Sequence, residues 1–157
     1  LHRTTWRSKL WPESYWQTLL HCVAQAGYRV KIGGGNDEEL ARAKRIAGNS
    51  PQVDLLPKLS VTETAQLLAH AKAIVTLDTG FGHLAGALNR PTIAIYGSTN
   101  PLWTGVVGDQ VQHLSARFPC APCVKRECAY QKPSVITPAC YQDITPQLVW
   151  KTVRQYL

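Results

Sequence analysis

The sequence predicts an α/β fold in which helices cover both faces of a parallel, Rossmann-like sheet. Short apolar runs alternate with longer segments of helical periodicity over most of the chain. Two of these runs, AIVTL at 73–77 and PTIAIYG at 91–97, are apolar at almost every position. Such runs are typical of strands that are buried on both faces of a parallel sheet.

The pattern of residues 11–32 predicts a helix followed by a strand. Pro12 suits the first position of the helix, and Gly27 ends it before the alternating strand YRVKI. The side chains at helical spacing that should face the core are Trp16, Leu19, Leu20 and Val23.

Three more helices then alternate with three strands. A second helix is predicted from Asn36 to Gly48, because Asn36 is a suitable N-cap and acidic residues fill the first turn. VDLL is the next short strand. Ser60 and Glu63 have the spacing of a capping box and open a third helix to about Ala71, which leads into AIVTL. A short helix then precedes PTIAIYG.

The alternation stops between Ser98 and Thr145, where a loop-rich stretch contains most of the cysteines. A final helix is predicted with Thr145 as its cap and Pro146 at its first position. We therefore predict one domain over residues 1–157, with a cysteine-rich loop insert at about 117–141. The predicted buried side of the last helix consists of Leu148, Val149, Val153 and Tyr156.

Composition restricts the classes of function. Seventeen Lys and Arg against ten Asp and Glu give a formal net charge of +7, which favours nucleic acid, a phosphorylated small molecule or an acidic membrane surface as partner. The basic residues are dispersed and not interleaved with aromatic residues, so nucleic acid is the weaker alternative. No apolar run has the ~20 residues of a membrane span, and no signal peptide is visible. We expect a soluble, non-secreted chain that is a fragment of a longer protein.

The stretch TLDTGFGH at 76–83 places polar and flexible residues where a buried strand ends and a helix begins. Ligands bind at the carboxyl ends of parallel strands, and the N–H groups of a helix that begins there attract phosphate. The glycines allow close approach of the backbone, Thr79 offers a hydroxyl and His83 a ring N–H. The alternative is structural: Asp78 and Thr79 cap the helix and His83 has no ligand.

Two further positions are candidates for nucleotide contacts. GGGND follows the first strand, where ribose and base often lie, and Glu39 could accept hydrogen bonds from ribose hydroxyls. Alternatively, its carboxylate only stabilises the helix N-terminus. Lys9 lies between a predicted strand end and a helix start, where its charge could bind a diphosphate; otherwise it is a solvated surface lysine.

Three separated blocks resemble the bacterial ADP-heptose:lipopolysaccharide heptosyltransferases. They are LHRTTWRSKLWPESYW, GGGNDEELARAKRIA with LLPKLS, and DTGFGHLAGALNRPTIAIYGSTNP. The resemblance covers most of residues 1–108, is closest to the type that adds the first heptose, and returns in DITPQLVWKTV near the end. It implies the C-terminal half of a two-domain GT-B glycosyltransferase, which binds ADP-heptose for transfer to the lipopolysaccharide inner core.

The resemblance also implies site residues. Lys9 and His83 are expected to stabilise the ADP leaving group, with no cofactor required for catalysis. Asp78 is expected mainly to orient its loop. The general base belongs to the N-terminal half, so this chain alone should bind donor but hardly turn over. The implied donor-binding residues are Thr4, Thr5, Lys9, Glu39, Leu59, Asp78, Thr79, Gly80 and His83.

The implied partners are ADP-heptose or a similar nucleotide sugar, a lipopolysaccharide-precursor acceptor and the anionic surface of the inner membrane. We therefore expect the protein in the cytoplasm, attached peripherally to the inner face of that membrane.

The cysteines add a possible metal site. Cys120, Cys123, Cys128 and Cys140 follow the pattern C-x2-C-x4-C-x11-C, whereas Cys22 is predicted to be buried in the first helix. Four thiolates can hold zinc or iron as a structural centre, and a reducing cytoplasm counts against disulfides. The alternatives are unligated thiols, or disulfides formed after purification. The cluster departs from the first-heptose type and resembles the cysteine-rich insert of other family members, autotransporter heptosyltransferases among them.

Other functions stay open at this point. The chain could be a GT-B half that uses another nucleotide sugar or a protein acceptor. From a different class, it could be a basic, metal-stapled module for binding or assembly.

Overall fold

The computed structural model describes residues 4–157 and confirms the α/β class, since every pair of strands is parallel. The predicted strand end at residues 1–3 lies outside the described residues. The strands are β1 (Val30–Ile32), β2 (Val53–Leu55), β3 (Ile74–Leu77), β4 (Thr92–Tyr96) and β5 (Val111–Ser115). The helices are α1 (Glu13–Gln25), α2 (Asp37–Ala47), α3 (Val61–Ala69), α4 (Gly80–Ala87), α5 (Pro101–Thr104) and α6 (Pro146–Val153), with 3-10 turns at Arg7–Lys9, Ala139–Asp143 and Arg154–Tyr156.

The strands form two sheets instead of the one sheet expected. β1 pairs with β2, with Val30 opposite Val53. β4 lies between β3 and β5, with Thr92 opposite Ile74 and Val111. Within residues 4–157 no ladder joins β1 to β3, and residues of both strands line one cavity.

The predicted helix starts are confirmed at the level of hydrogen bonds. The side chain of Asn36 accepts from the N–H of Glu39 at 2.9 Å and caps α2. Ser60 and Glu63 form the predicted capping box of α3. The Thr145 side chain accepts from Leu148 N and caps α6. Local polar chemistry therefore sets where these helices begin.

Several predicted details are wrong. α5 and β5 lie in the stretch expected to be loop; α5 has only 4 residues, and β5 has no fully buried position, so neither gives a clear periodic pattern. Leu148 is 38% exposed, while Thr152 takes a buried position on α6 instead. Cys22 is half-buried and not fully buried.

The main core joins the two ends of the chain. Trp11 is fully buried, and its indole N–H donates to the carbonyl of Ile144 at 2.9 Å. Its ring packs edge-on against Trp16 of α1, with 5.0 Å between centroids. Helices α1 and α6 pack against each other, and α6 also contacts β4. This packing holds the segment before α1 at the carboxyl end of the strands.

Candidate functional site

The centre of the candidate site is an ion pair at the carboxyl end of β3. The Lys9 ammonium lies 2.8 Å from Asp78 Oδ2 and 3.4 Å from the Asp78 carbonyl oxygen. The two side chains are only 16% and 6% exposed. The hydroxyl of Thr104, at the end of α5, donates to the same carboxylate oxygen at 3.1 Å. Asp78 therefore holds a cation and a hydroxyl together at this edge.

The N-terminus of α4 opens beside this pair. Its N-cap, Thr79, makes no side-chain capping hydrogen bond, and the Asp78 carboxylate is turned toward Lys9 instead. The predicted alternative, in which these two side chains cap the helix, is therefore not the arrangement seen. Gly80 is exposed, and a Cβ added there would meet no atom within 4 Å. His83, also exposed, lies on the first turn of the helix.

A cation next to a helix N-terminus is an arrangement suited to anions. The helix dipole and the main-chain N–H groups favour negative charge, and a lysine ammonium has three donors, of which Asp78 uses only part. Gly80 leaves room for a ligand to approach the main chain. The geometry can thus bind a phosphate group between Lys9 and the start of α4.

The short loop that carries Lys9 is fixed by distant segments. The N–H of Ser8 donates to the carbonyl of Arg126 at 3.0 Å, and its hydroxyl donates to the carbonyl of Lys125 and lies 3.0 Å from the hydroxyl oxygen of Ser98. The Lys9 ammonium lies 4.7 Å from the centroid of the Trp6 ring, a cation–π distance. The loop is therefore clamped between the end of β4 and the cysteine-rich stretch.

Tyr141 also holds the loop that carries Lys9 in place. Its hydroxyl donates to the Lys9 carbonyl at 2.7 Å, and the ring is fully buried. A Cβ at Gly97 would lie 2.5 Å from Tyr141 Cζ, so glycine is required for this close approach. Burial raises the pKa of the Tyr141 hydroxyl well above its usual value, which keeps it a neutral donor.

The sequence analysis missed Thr104, Ser98, Tyr141 and Arg126. Each reaches the site through a contact to a residue more than twenty positions away. A serine, a threonine or a tyrosine carries no local pattern that marks such a contact. The run STNP directly after β4 was the one available signal, because it lies at the carboxyl edge of the sheet.

The predicted ribose site lies after the end of β1, in the glycine loop and the first turn of α2. The carboxylate of Glu39 accepts from the N–H of Gly35 at 2.7 Å and closes the glycine loop. A Cβ at Gly34 would lie 2.5 Å from the Leu40 nitrogen, so this loop needs glycine for close approach. Leu59 lines the cavity beside Gly34.

The remaining predicted donor contacts lie before the Lys9 loop. Thr4 Oγ1 accepts from the N–H of Trp6 at 3.2 Å, and Thr5 is exposed. The structure thus brings Lys9, Asp78, Thr79 and the start of α4 together, while Glu39 holds the glycine loop after β1 and Leu59 lines the cavity.

The four clustered cysteines line one small cavity of about 180 Å³, next to Ser8 and Ser98. All are free thiols, and Cys140 is the buried one. Burial, with a smaller contribution from the neighbouring thiols, raises the pKa of Cys140 to about 12. As placed, the described residues contain no group of three or more His, Cys, Asp or Glu side chains that could hold a metal ion. The four cysteines therefore line the same cavity, but their thiols as placed do not form a coordination shell.

Comparison with known proteins identifies the family. The sequence profile of glycosyltransferase family 9 (heptosyltransferase) matches residues 1–133. This chain belongs to glycosyltransferase family 9. The expected resemblance is thereby confirmed. Among the helices of residues 4–157, none is both long and apolar enough to cross a bilayer.

Two relatives place the chain within family 9. It is 41% identical to lipopolysaccharide heptosyltransferase 1 of Pseudomonas aeruginosa, over 95% of this chain and 44% of that protein. It is 46% identical to lipopolysaccharide heptosyltransferase 1 of Salmonella typhimurium, over 69% of this chain and 33% of that protein. The chain thus spans less than half the length of these relatives. Because the alignment with the Pseudomonas relative covers 95% of this chain, it includes at least part of the cysteine-rich stretch.

Solved structures agree with the family 9 assignment. The fold matches E. coli heptosyltransferase WaaC with ADP at a TM-score of 0.81 and 33% identity, covering all of this chain and 43% of that one. It matches E. coli heptosyltransferase WaaC with ADP-2-deoxy-2-fluoro heptose at 0.77 and 32% identity, covering 42% of that chain. The predicted fold class, a Rossmann-like half of a GT-B glycosyltransferase, is confirmed.

Proposed function

We propose that this chain is the donor-binding half of a glycosyltransferase that moves heptose from ADP-heptose to the lipopolysaccharide inner core. The observation that carries the proposal is the Lys9–Asp78 pair beside the uncapped start of α4. Such an edge suits a diphosphate. Support also comes from the relatives, which are named lipopolysaccharide heptosyltransferases, and from the similar structures, which hold ADP or an ADP-heptose analogue.

In this proposal the diphosphate lies against the start of α4. Thr79 and the main chain at Gly80 bind its oxygens, and Lys9 and His83 stabilise the negative charge that develops on ADP as the sugar leaves. Asp78 is a positioning residue, since its carboxylate orients the Lys9 ammonium. The ribose and adenine extend across the ends of β1 and β2 toward Glu39 and Leu59.

The acceptor and the membrane surface belong to the same proposal. A lipopolysaccharide precursor is an anionic lipid in an anionic leaflet, and the net charge of +7 favours peripheral attachment there. The location would then be the cytoplasmic face of the inner membrane. Salt-sensitive binding to vesicles that contain phosphatidylglycerol is the expected result; binding unaffected by salt would contradict it.

We also propose a structural zinc or iron ion held by the four clustered cysteines. Their shared cavity supports this, although the thiols must move closer together to form a tetrahedral shell. Elemental analysis of protein purified under reducing conditions should find about one metal per chain. Replacing Cys123 by Ser should remove it, and replacing Cys22 by Ser should not. A metal-free wild-type protein would contradict the proposal.

The alternative of a basic binding or assembly module is not favoured, since the family match covers the sheet and its loops. One experiment distinguishes ADP-heptose from a different nucleotide sugar as the donor. Titration calorimetry with ADP and with UDP should show saturable ADP binding that is at least about tenfold tighter. Equal affinity for the two nucleotides would contradict an adenine-specific donor site.

A further inference from the structure

The ion pair at the candidate site carries no net charge of its own. The Lys9 ammonium lies 2.8 Å from the Asp78 carboxylate, and the two charges offset each other over longer distances. The start of α4 adds only the partial positive charge of a helix N-terminus. A diphosphate, in contrast, carries negative charge on two phosphate groups. Strong binding of such a ligand therefore requires another cation at this edge, one without an acidic partner of its own.

One indole ring, that of Trp6, contacts two cations. The Lys9 ammonium lies 4.7 Å from the ring centroid, and the guanidinium carbon of Arg126 lies 5.7 Å from the same centroid. Both distances are within the range of cation–π interactions. The two positive groups are thus no farther apart than the sum of these distances, which a diphosphate and its hydrogen bonds can span. Arg126 therefore lies where the additional cation is required.

The main chain fixes Arg126 at the carboxyl edge of the sheet. The N–H of Ser8 donates to the Arg126 carbonyl at 3.0 Å, and the Ser8 hydroxyl donates to the carbonyl of Lys125. The N–H of Val124 donates to the carbonyl of Ser98, which follows β4, at 2.7 Å. The main chain of three consecutive residues is thus hydrogen-bonded to this edge, so the position of Arg126 does not depend on its side chain alone.

The Arg126 side chain is available for a ligand. It is exposed, and within residues 4–157 no acidic side chain lies within ion-pair distance of it. Arg7 and Lys125 are exposed as well, but among the described residues neither contacts the Trp6 ring. A guanidinium binds a phosphate through two parallel N–H donors, which suits it to this position.

We propose that Arg126 binds one phosphate group of a nucleoside diphosphate at the candidate site, while Lys9 and the start of α4 bind the other. The inference rests on the proposed function, because it requires the donor's diphosphate at this edge. Arg126 lies between Cys123 and Cys128, so the cysteine-rich stretch contributes a binding residue to the site. Trp6 is then a positioning residue that holds both cations.

The test is titration calorimetry of ADP into wild type, Arg126→Ala, Arg126→Lys and Arg154→Ala. Arg154, in the turn after α6, is a matched control, because it is also exposed and its guanidinium carbon lies 5.8 Å from the centroid of the Trp150 ring. Arg126→Ala should weaken ADP binding at least about fivefold, since a charge-assisted contact is lost. Arg126→Lys should retain part of the affinity, and Arg154→Ala all of it.

Further readouts separate ligand binding from a structural role. The ADP affinity of Arg126→Ala should fall less steeply with added NaCl than that of wild type, because one cation–phosphate contact is missing. Its Tm should match that of Arg154→Ala, since each variant removes one exposed arginine from a tryptophan ring. Binding to vesicles that contain phosphatidylglycerol shows whether Arg126 acts on lipid phosphate instead.

Saturable ADP binding that is equally tight in wild type and Arg126→Ala would overturn the inference and leave the proposed function standing. A loss of ADP affinity with a lowered Tm and an unchanged salt dependence would show that the role of Arg126 is structural. Weaker vesicle binding at unchanged ADP affinity would assign the arginine to membrane phosphates and likewise overturn the inference. If wild type itself shows no saturable ADP binding, the proposed function and the inference both fail.

Discussion

The hydroxyl of Tyr141 donates a hydrogen bond to the main-chain carbonyl of Lys9 at 2.7 Å, across 132 positions of the chain. Through this contact the end of the cysteine-rich loop supports the candidate site. Tyr141→Phe should lower the free energy of unfolding by about 1–2 kcal/mol, because it leaves a partly buried carbonyl without its donor. It should also weaken ADP binding several-fold, since the Lys9 loop loses its support.

The control for this variant is Tyr156→Phe. The Tyr156 hydroxyl accepts from Gln112 at 2.8 Å near the surface, so its loss should change stability by less than about 0.5 kcal/mol. Urea unfolding and calorimetric titration measure the two effects. Unchanged stability and unchanged affinity for Tyr141→Phe would contradict the supporting role.

The Lys9–Asp78 pair should matter more for stability than a surface pair. Asp78→Asn leaves a mostly buried ammonium without its counter-charge, and we expect a loss of about 1–3 kcal/mol. The matched control is Asp54→Asn, which breaks the exposed pair between Arg29 and Asp54. Its effect should be much smaller, because solvent screens that pair. Equal losses in urea unfolding would show that the Lys9–Asp78 pair is not effectively buried.

Alanine substitution should lower stability at Gly34 but not at Gly80. Gly34→Ala places Cβ 2.5 Å from the Leu40 nitrogen and must displace the start of α2, so a loss of more than about 2 kcal/mol is expected. Gly80→Ala meets open space and should leave stability unchanged or slightly raised. If Gly80 lies against the diphosphate, the same alanine should still weaken ADP binding. Thermal unfolding and titration of both variants separate these effects.

Glu63 gives a pH-dependent contribution to stability. Hydrogen bonds from the Ser60 hydroxyl and N–H hold the pKa of the Glu63 carboxyl below its ordinary value of 4.5. A carboxyl with a lowered folded-state pKa stabilises the protein above its unfolded-state value and loses that contribution as pH falls through the folded-state value. The stability difference between wild type and Glu63→Gln should therefore be full at neutral pH and be lost as the pH falls through the lowered folded-state pKa of Glu63. In a Ser60→Ala background the pH dependence of this difference should shrink.

Local signals predicted helices better than they predicted the sheet. Asn36, Ser60 and Thr145 act on N–H groups within a few residues, so the sequence alone identifies them as caps. β5 escaped prediction because an edge strand is partly exposed and lacks a continuous apolar run. The break between β1 and β3 depends on which strands are neighbours, which periodicity does not encode.

The sequence predicted only part of the candidate site, because local patterns reveal only some of its residues. The turn at Asp78 and Thr79 follows a buried strand, a position that local pattern reveals. The ion pair between Lys9 and Asp78 was not predicted, although both residues were candidates separately. Thr104 and Tyr141 reach the site only through tertiary packing, and no sequence pattern around them indicates it.

The most direct test of the donor-site proposal is calorimetric titration of ADP into wild type, Lys9→Ala, Thr79→Ala and the control Lys44→Ala. Lys44 is an exposed lysine in the last turn of α2, at the opposite end of that helix from the glycine loop. The account predicts saturable binding that Lys9→Ala weakens at least about tenfold, Thr79→Ala weakens measurably and Lys44→Ala leaves unchanged. ADP binding that is equally tight in Lys9→Ala and wild type would contradict a diphosphate site at the start of α4.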